Sequence, residues 1–394
     1  MTESRRTGIS IVGAGHTKFG RVDDTLEQLI VAAATEAVED SGISPDEIDA
    51  TFLGHFNFAL VPDGFASSLV LQAYPELRFK PATRCENACA SGAAAIFAGI
   101  NAIRAGAART VLVVGAEKMT HRATADVTAS LAGAGYQNSA SESGLSFPQI
   151  FALAADAYRQ RFGDPLDTMA KIAAKNHQNA LGNPLAHMHK ALDFHACNTI
   201  SRSNPVIAPP LRLTDCSPIT DGAAALILTT DENSHRFGKK AHIRSAIHVS
   251  DFLPMAARDF AAFEGPARTI ASALDAAGIT LHDLDFAEVH DCFTIAELLI
   301  YEAMGLAPAG RGADALADGT VYREGRLPVN LSGGLKAKGH PVGATGVSMH
   351  ALSYRQVTHQ AGGIQKQGAR LGLVFNMGGA AVANYATVLE AGGA

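Results

Sequence analysis

Cys89 lies in the run Cys85-Glu-Asn-Ala-Cys89-Ala-Ser-Gly92, directly before a stretch dominated by alanine and glycine. A thiol at the start of a small-residue helix sits beside free backbone amides and the positive end of the helix dipole. Both favour a thiolate, and small neighbours let a substrate carbonyl approach with its oxygen near those amides. A buried structural cysteine is the competing account, and the segment alone does not choose. Further on, five glycines fall between Gly333 and Gly346 in Asn330-Leu-Ser-Gly-Gly334-Leu-Lys-Ala-Lys-Gly339-His340-Pro341-Val-Gly343-Ala-Thr-Gly346. Backbone of that kind passes close to something, and His340 is its acid/base or hydrogen-bonding group. A phosphate-cradling loop competes, but Gly-x-x-x-x-Gly-Lys-Ser/Thr is absent; a plain glycine turn with a solvated histidine also remains open. Between these segments, His290-Asp291-Cys292-Phe293 follows an apolar strand pattern and opens a helical one. That is where α/β enzymes hold reactive groups, outside the carboxyl ends of strands. In isolation, the pair is equally well explained by packing.

Metal chemistry is not expected. The His290/Cys292 pair lacks a third ligand at a suitable local spacing, and His187-Met-His189 has the same shortage. Those two histidines read as solvent-facing or substrate-lining. Cys85, Cys197 and Cys216 read as structural, since a free cysteine usually packs as a small apolar residue. Lys239-Lys240 reads as a solvated turn.

Residues so far apart in sequence need a scaffold to meet. Ile9 to Val12 is a short apolar run ending in Gly13-Ala14-Gly15, but His16, Thr17 and Lys18 follow where a dinucleotide fingerprint needs glycine. Asp24 and Glu27 have capping-box spacing ahead of Leu26, Leu29, Ile30, Ala33, Ala37 and Val38, with Gly42 as the stop. Strands are expected at Thr51 to Phe56 and Arg109 to Gly115, with a helix between them at Ala88 to Ala105. From Lys118 to about Asn233 the pattern loosens around short helices such as Phe151 to Phe162, as in an excursion that covers a substrate. Alternation then resumes: strand Ala241 to Val249, helix Pro266 to Ala277, strand Asp285 to Val289, helix Thr294 to Met304, helix Ala344 to His359 and strand Arg370 to Asn376. Such alternation specifies a mostly parallel, helix-covered sheet. RTVLVVGAE at Arg109 to Glu117 and RLGLVFNMGG at Arg370 to Gly379 hint at a duplicated fold.

Composition bounds what the chain can be. At about 150 residues per domain, 394 residues make two to three domains or two large fused ones. Charged residues are 18% against the usual share of about 25%, which excludes a mainly disordered chain. A net charge of −6 without a dense basic run argues against nucleic acid or an anionic membrane as partner. Met1 to Thr7 has no apolar stretch fit for a signal peptide. The longest uncharged run, Leu371 to Leu389, is broken by Asn376, Gly378-Gly379 and Asn384, so it reads as two buried strands around a glycine turn rather than a membrane span. Five cysteines without a Cys-x-x-Cys pair fit neither a disulfide framework nor a zinc ribbon, and fit a reducing cytoplasm.

Four motifs in order, Cys89-Ala-Ser-Gly92, His290 to Phe293, Gly339-His340-Pro341 and Asn376-Met-Gly378-Gly379, resemble the thiolase superfamily, in particular its sterol-carrier-protein type. The likeness extends from Ile11 to Glu390 and includes Cys216 to Leu226 (CSPITDGAAAL). It implies an α/β fold of two similar halves in five layers, α-β-α-β-α: residues 1–240 with a loop domain at about 118–233, then 241–394. It implies an acetyl-CoA C-acyltransferase of lipid metabolism, acting on 3-ketoacyl-CoA thioesters as a cytoplasmic homodimer or homotetramer. Coenzyme A enters as the substrate's thioester, no cofactor stays bound, and no cofactor-binding residues are assigned. By the same resemblance Cys89 is the acyl-accepting nucleophile, His340 activates it, and His290 joins His340 in a first oxyanion hole. The amides of Cys89 and Gly378 form the second. The family's usual Asn-Glu-Ala-Phe is replaced by His290 to Phe293, and the cysteine of its Cys-x-Gly motif by Asn376. Cys292 is therefore expected to be the proton-shuttling thiol. Cleaving a carbon–carbon bond beside a thioester needs just these parts: a soft nucleophile, donors for two oxygens, and an acid for the departing enolate.

Two alternatives keep the resemblance. One is a thiolase-like acyltransferase or retro-aldolase working with a small OB-fold, zinc-binding partner; an intact Cys89 argues against the aldolase version. The other is a lipid carrier, for which the chain has no separate lipid-transfer domain before Ala394.

Overall fold

A computed structural model describes residues 7–393; the expectation for Met1 to Thr7 lies almost wholly outside them. β1 (Ile9–His16) runs straight through Gly13 and Gly15. A Cβ there would stand 2.5 Å from the Ala37 oxygen and 2.0 Å from the Ala33 oxygen, so both glycines let β1 press onto the following helix and neither cradles a phosphate. That helix, α1 (Leu26–Ser41), is capped by Thr25 and Gln28, one residue later than expected. The Thr25 Oγ1 accepts from Gln28 N while Gln28 Oε1 accepts from Thr25 N. With Leu26 as first helical residue, Leu26, Leu29, Ile30, Ala33 and Ala37 all face inward. Gly42 in the left-handed conformation ends the helix, as its type predicts.

Next in the first half come β2 (Ala50–Gly54), β3 (Ala82–Cys85) and β4 (Thr110–Glu117). Helix α2 (Ser91–Arg104) stands between β3 and β4. The excursion holds α3 (Thr124–Ala132), α4 (Phe147–Phe162), α5 (Leu166–Ala180) and a hairpin, β5 (Val206–Ala208) with β6 (Leu211–Arg212). Its expected extent to about residue 233 is too long, because β7 (Gly222–Thr230) is a fully paired strand of the main sheet. β8 (Ala241–Ser250), α6 (Glu264–Ala277), β9 (Phe286–Val289), α7 (Thr294–Ala303), α8 (Thr345–Val357), β10 (Leu371–Gly378) and β11 (Ala383–Ala391) complete the chain. The long uncharged run is thus β10 and β11, and no helix of the described residues is long and apolar enough to cross a membrane.

Strand order is β3-β2-β4-β7-β1-β8-β11-β10-β9. β4 has β2 parallel on one side and β7 antiparallel on the other, with β1 antiparallel beyond. β10 repeats the pattern with β9, β11 and β8. Even the place of β3 beside β2 has a vestige, a single parallel bridge between Ala287 of β9 and Val329. The duplication hinted at in sequence is a duplication of topology. Among the described residues the halves join edge to edge through β1 and β8 at two ladder pairs, Ser10↔His242 and Ile11↔Ala241, with a further backbone hydrogen bond from Thr7 N to the Ile243 carbonyl. Between the half-sheets lie α2 and α8, packed on each other; α1 covers the outside of the first half and α6 that of the second. These are the five α/β layers expected, but the sheet is not the mostly parallel one that the alternation suggested: β7, β1, β8 and β11 follow one another antiparallel, and parallel pairing is confined to β3-β2-β4 and β10-β9.

Candidate active site

Each central helix is entered from a loop that carries a candidate residue: Cys89 just before α2, His340 just before α8. The Cys89 loop is knotted by Ser91, whose hydroxyl accepts from Asn87 N at 2.9 Å and donates to the Ala88 carbonyl at 2.6 Å. Ala88 takes φ 49°, which turns the chain so that Cys89 faces inward. The two loops can touch because both are glycine at the contact. A Cβ on Gly92 would stand 2.8 Å from the Gly343 oxygen, and one on Gly346 2.3 Å from the Ala93 nitrogen. His290 and Cys292 lie at the turn between β9 and α7, as expected from the strand-to-helix pattern.

The Cys89 sulfur and one nitrogen each of His290 and His340 lie within 4.8 Å of one another. The imidazoles stand edge to face, centroids 5.2 Å apart at 88°. His340 Nδ1 is 2.7 Å from the Thr345 hydroxyl, which itself donates to the Pro341 carbonyl at 2.9 Å. His290 Nδ1 is 2.8 Å from Asn376 Nδ2, which also reaches the Cys89 carbonyl at 3.4 Å. Both Nε2 atoms are buried with no hydrogen-bond partner among the described residues. Cys89, Cys292 and His340 share a cavity of about 410 Å³ whose walls include Phe56, Met119, Leu131, Phe147, Leu213 and Phe293. Cys216, expected to be a structural bystander, lines it too, because the bridge from Cys216 to Phe293 draws that segment alongside Cys292. Gly379 lines it, while Gly378 lines an adjoining cleft of about 450 Å³ with Asn87.

Burial governs the protonation states. It pushes the Cys89 thiol up to about 12, against a hydrogen bond from the Gly379 backbone that pulls the other way. This runs against the thiolate expected at the helix start: burial outweighs the backbone hydrogen bonds of Gly379 and Cys89. Cys292 is pushed far above the usual thiol range, first by burial and then by Cys89. Burial, reinforced by Lys338, holds His340 down at about 3. His290 lies well below its usual value through burial, then through His340 and Lys338. At neutral pH the resting site is two thiols and two neutral imidazoles.

Two carboxylates hold this arrangement and went unseen in sequence. Asp291 accepts from the Leu335 and Lys336 amides at 2.6 and 3.2 Å and from Asn176 Nδ2 at 2.7 Å, which ties the turn before His340 to the segment of His290 and Cys292. Its position inside a polar tetrapeptide was the available signal. Glu117 accepts from the amides of Phe56, Asn57 and Gly343 at 2.9, 3.1 and 3.0 Å, joining a cavity wall to the loop after His340. Nothing in its apolar strand announced that. His187 Nδ1 pairs with the Thr220 hydroxyl and His189 Nε2 with the Asn183 carbonyl. Cys197 is fully buried.

Residues 9–192 match the family model described as thiolase, N-terminal domain, and residues 249–391 match that of the thiolase C-terminal domain-like family. The chain is 34% identical over 375 residues to an acetyl-CoA acetyltransferase of Methanothermobacter thermautotrophicus, covering 94% of this chain and 96% of that one. It is 30% identical over 403 residues to sterol carrier protein 2 of Oryctolagus cuniculus, covering 95% of this chain and 71% of that one. Among solved structures it resembles the "Ltp2-ChsH2(DUF35) aldolase" with a TM-score of 0.82 at 20% identity, over 98% of both chains, a likeness of fold. With the two family halves matched in order and a relative alike through nearly all of both chains, the chain belongs to the thiolase family of acyltransferases.

Proposed function

We propose that the protein makes or breaks the carbon–carbon bond of 3-ketoacyl-CoA thioesters through an acyl group carried on Cys89. The observation that carries this is the meeting of the Cys89 sulfur with His290 and His340 within 4.8 Å, at a cavity that also holds Cys292. In cleavage, the Cys89 sulfur attacks the ketone carbon and its proton passes to His340 Nε2. His290 donates to the ketone oxygen as negative charge builds there. The bond to the α-carbon then breaks, and Cys292 gives its proton to the departing thioester enolate. A second coenzyme A attacks the acyl-Cys89 thioester, its thiol proton restoring Cys292, and the His340 proton returns to the Cys89 sulfur. The resting protonation states suit these roles. A neutral His340 can accept a proton, a thiol of very high pKa gives one up only to a strong carbanion base, and Cys89 ionises only as the carbonyl arrives. The amide of Cys89, with that of Gly378 or Gly379, faces the thioester oxygen in the second hole.

Mass spectrometry after incubation with acetyl-CoA or acetoacetyl-CoA tests this directly. An acyl adduct on Cys89 is expected; no adduct with any acyl-CoA would remove the reading. A homodimer or homotetramer is part of it, supported by the free edge of β3 and by Phe65 and Phe79, which are 84% and 86% exposed; light scattering would read the mass. Cytoplasmic lipid metabolism is its setting.

A second reading has one observation in its favour, the high likeness of fold to an aldolase whose name includes a DUF35 component. Here the chain works with a small OB-fold, zinc-binding protein on another thioester. Activity appearing only on addition of such a partner would favour it.

A further inference from the structure

We propose that Asn376 is a positioning residue that fixes His290 as its Nε2–H tautomer, keeping the Cys89, His290 and His340 cluster a site for a substrate oxygen rather than for a soft metal ion. Judged by its donor set alone, the cluster is a metal site assembled from three distant segments, which local spacing in the sequence could not reveal. One sulfur and two imidazole nitrogens converge within 4.8 Å, and both Nε2 atoms are buried and unpartnered among the described residues. Zinc takes such ligands at about 2.0–2.3 Å in a tetrahedral arrangement, which small side-chain rotations would reach.

Proton placement decides between the two uses, because a metal takes a nitrogen lone pair and an oxyanion takes an N–H. The Thr345 hydroxyl has one proton, already given to the Pro341 carbonyl, so the contact at 2.7 Å is His340 Nδ1–H donating to Thr345. His340 Nε2 is left with its lone pair. His290 is the reverse. Asn376 Nδ2 can only donate, so at 2.8 Å His290 Nδ1 must accept, and the single proton of the neutral ring sits on Nε2. The amide orientation follows from its second contact: Nδ2 also lies 3.4 Å from the Cys89 carbonyl, where Oδ1 would face another oxygen. Side by side, one imidazole offers a lone pair and the other a proton. His340 can take the Cys89 proton while His290 bonds the oxygen. A metal finds two free donors, and a third only after expelling the His290 proton and turning the Asn376 amide. Asn376, read in sequence as a lost thiol, thus has its own task. The identity of the oxygen rests on the acyl-transfer reading; the tautomer and the metal response do not.

Nitrogen-15 NMR of the wild-type histidines, with His290 assigned by its loss in His290→Gln, should show its proton on Nε2. Asn376→Asp places a carboxylate oxygen against Nδ1, which then must carry the proton, completing the carboxylate–histidine–metal arrangement. This variant should bind Zn2+, titrated against a chromophoric chelator, about 10–100-fold more tightly than wild type, the span that such outer partners contribute elsewhere. The gain should vanish in Asn376→Asp/Cys89→Ala. A wild-type His290 proton on Nδ1 would overturn the proposal, as would a folded Asp variant with unchanged Zn2+ affinity. The wild-type spectrum stands even if the Asp variant does not fold. Absence of a Cys89 adduct would remove the acyl-transfer reading and leave the tautomer result untouched.

Discussion

Equivalent strands of the two halves end in the same residue type and put it to opposite uses. His55 follows β2 directly, and His290 follows β9 directly. His55 is paired with the Glu117 carboxylate at 3.1 Å, both side chains fully buried. Burial alone would lower its pKa, but the carboxylate and its hydrogen bond outweigh that and raise it. His290 faces the neutral amide of Asn376, so burial goes unopposed and its pKa falls. A carboxylate beside histidine makes a clamp: Glu117 holds three backbone amides and the ring in place. An amide beside histidine leaves the ring neutral, with its buried Nε2 unpartnered among the described residues. Duplicated topology supplies two strand ends, and one neighbouring side chain decides which becomes chemistry.

Substitutions can break this contrast, in descending order of effect. His340→Asn removes the proton acceptor proposed for the second half and should lower kcat about 10²–10⁴-fold with little change in melting temperature. Next, His290→Gln should cost about 10²–10³ in kcat, the price of one oxyanion donor, while His55→Gln leaves kcat of the folded fraction nearly unchanged. Steady-state kinetics on acetoacetyl-CoA would show whether the two histidines behave alike, which the contrast forbids. Glu117→Gln should act on stability instead, by about 3–5 kcal/mol, since it strips a buried charged network of one member; urea unfolding reads this.

The smallest effects come with pH. Because His340 lies near 3, kcat/KM should show no acid limb from this group between pH 8 and 5. His55 has a raised pKa in the folded state, so its contribution to stability is complete below the unfolded value near 6.5 and lost as pH rises through the folded one. The destabilisation caused by His55→Gln should therefore be larger at pH 5.5 than at pH 9. An effect that grows with pH would contradict the clamp.

Much of this was legible in the chain. The strands running into His290 and toward Asn376, the glycine loop before α8 and the small-residue helix after Cys89 all carry local periodicity or composition, and those are what sequence displays. β7 was hidden because its apolar run follows a loop of Pro, Thr and Asp without any helix to set it apart. Capping of α1 slipped by one residue because Asp24/Glu27 and Thr25/Gln28 have the same spacing, and only the inward-facing stripe chooses. Asp291 and Glu117 act through backbone amides far along the chain, and a backbone amide has no residue type to read. The upward push on the Cys89 thiol is hidden for a related reason: a helix start is local and visible in sequence, while burial belongs to the whole fold.

The two-pair seam between β1 and β8 has a mechanical meaning. With so short a ladder at the seam, the halves are also held by α2 and α8, by the glycine contacts at their entrances and by the Glu117 and Asp291 hydrogen bonds that cross between them. Those entrances carry Cys89 and His340, and any force that parts the halves first lengthens the gap between that sulfur and that imidazole. The enzyme is in effect its own strain gauge: in rising urea, turnover should fail before circular dichroism registers any loss of helix.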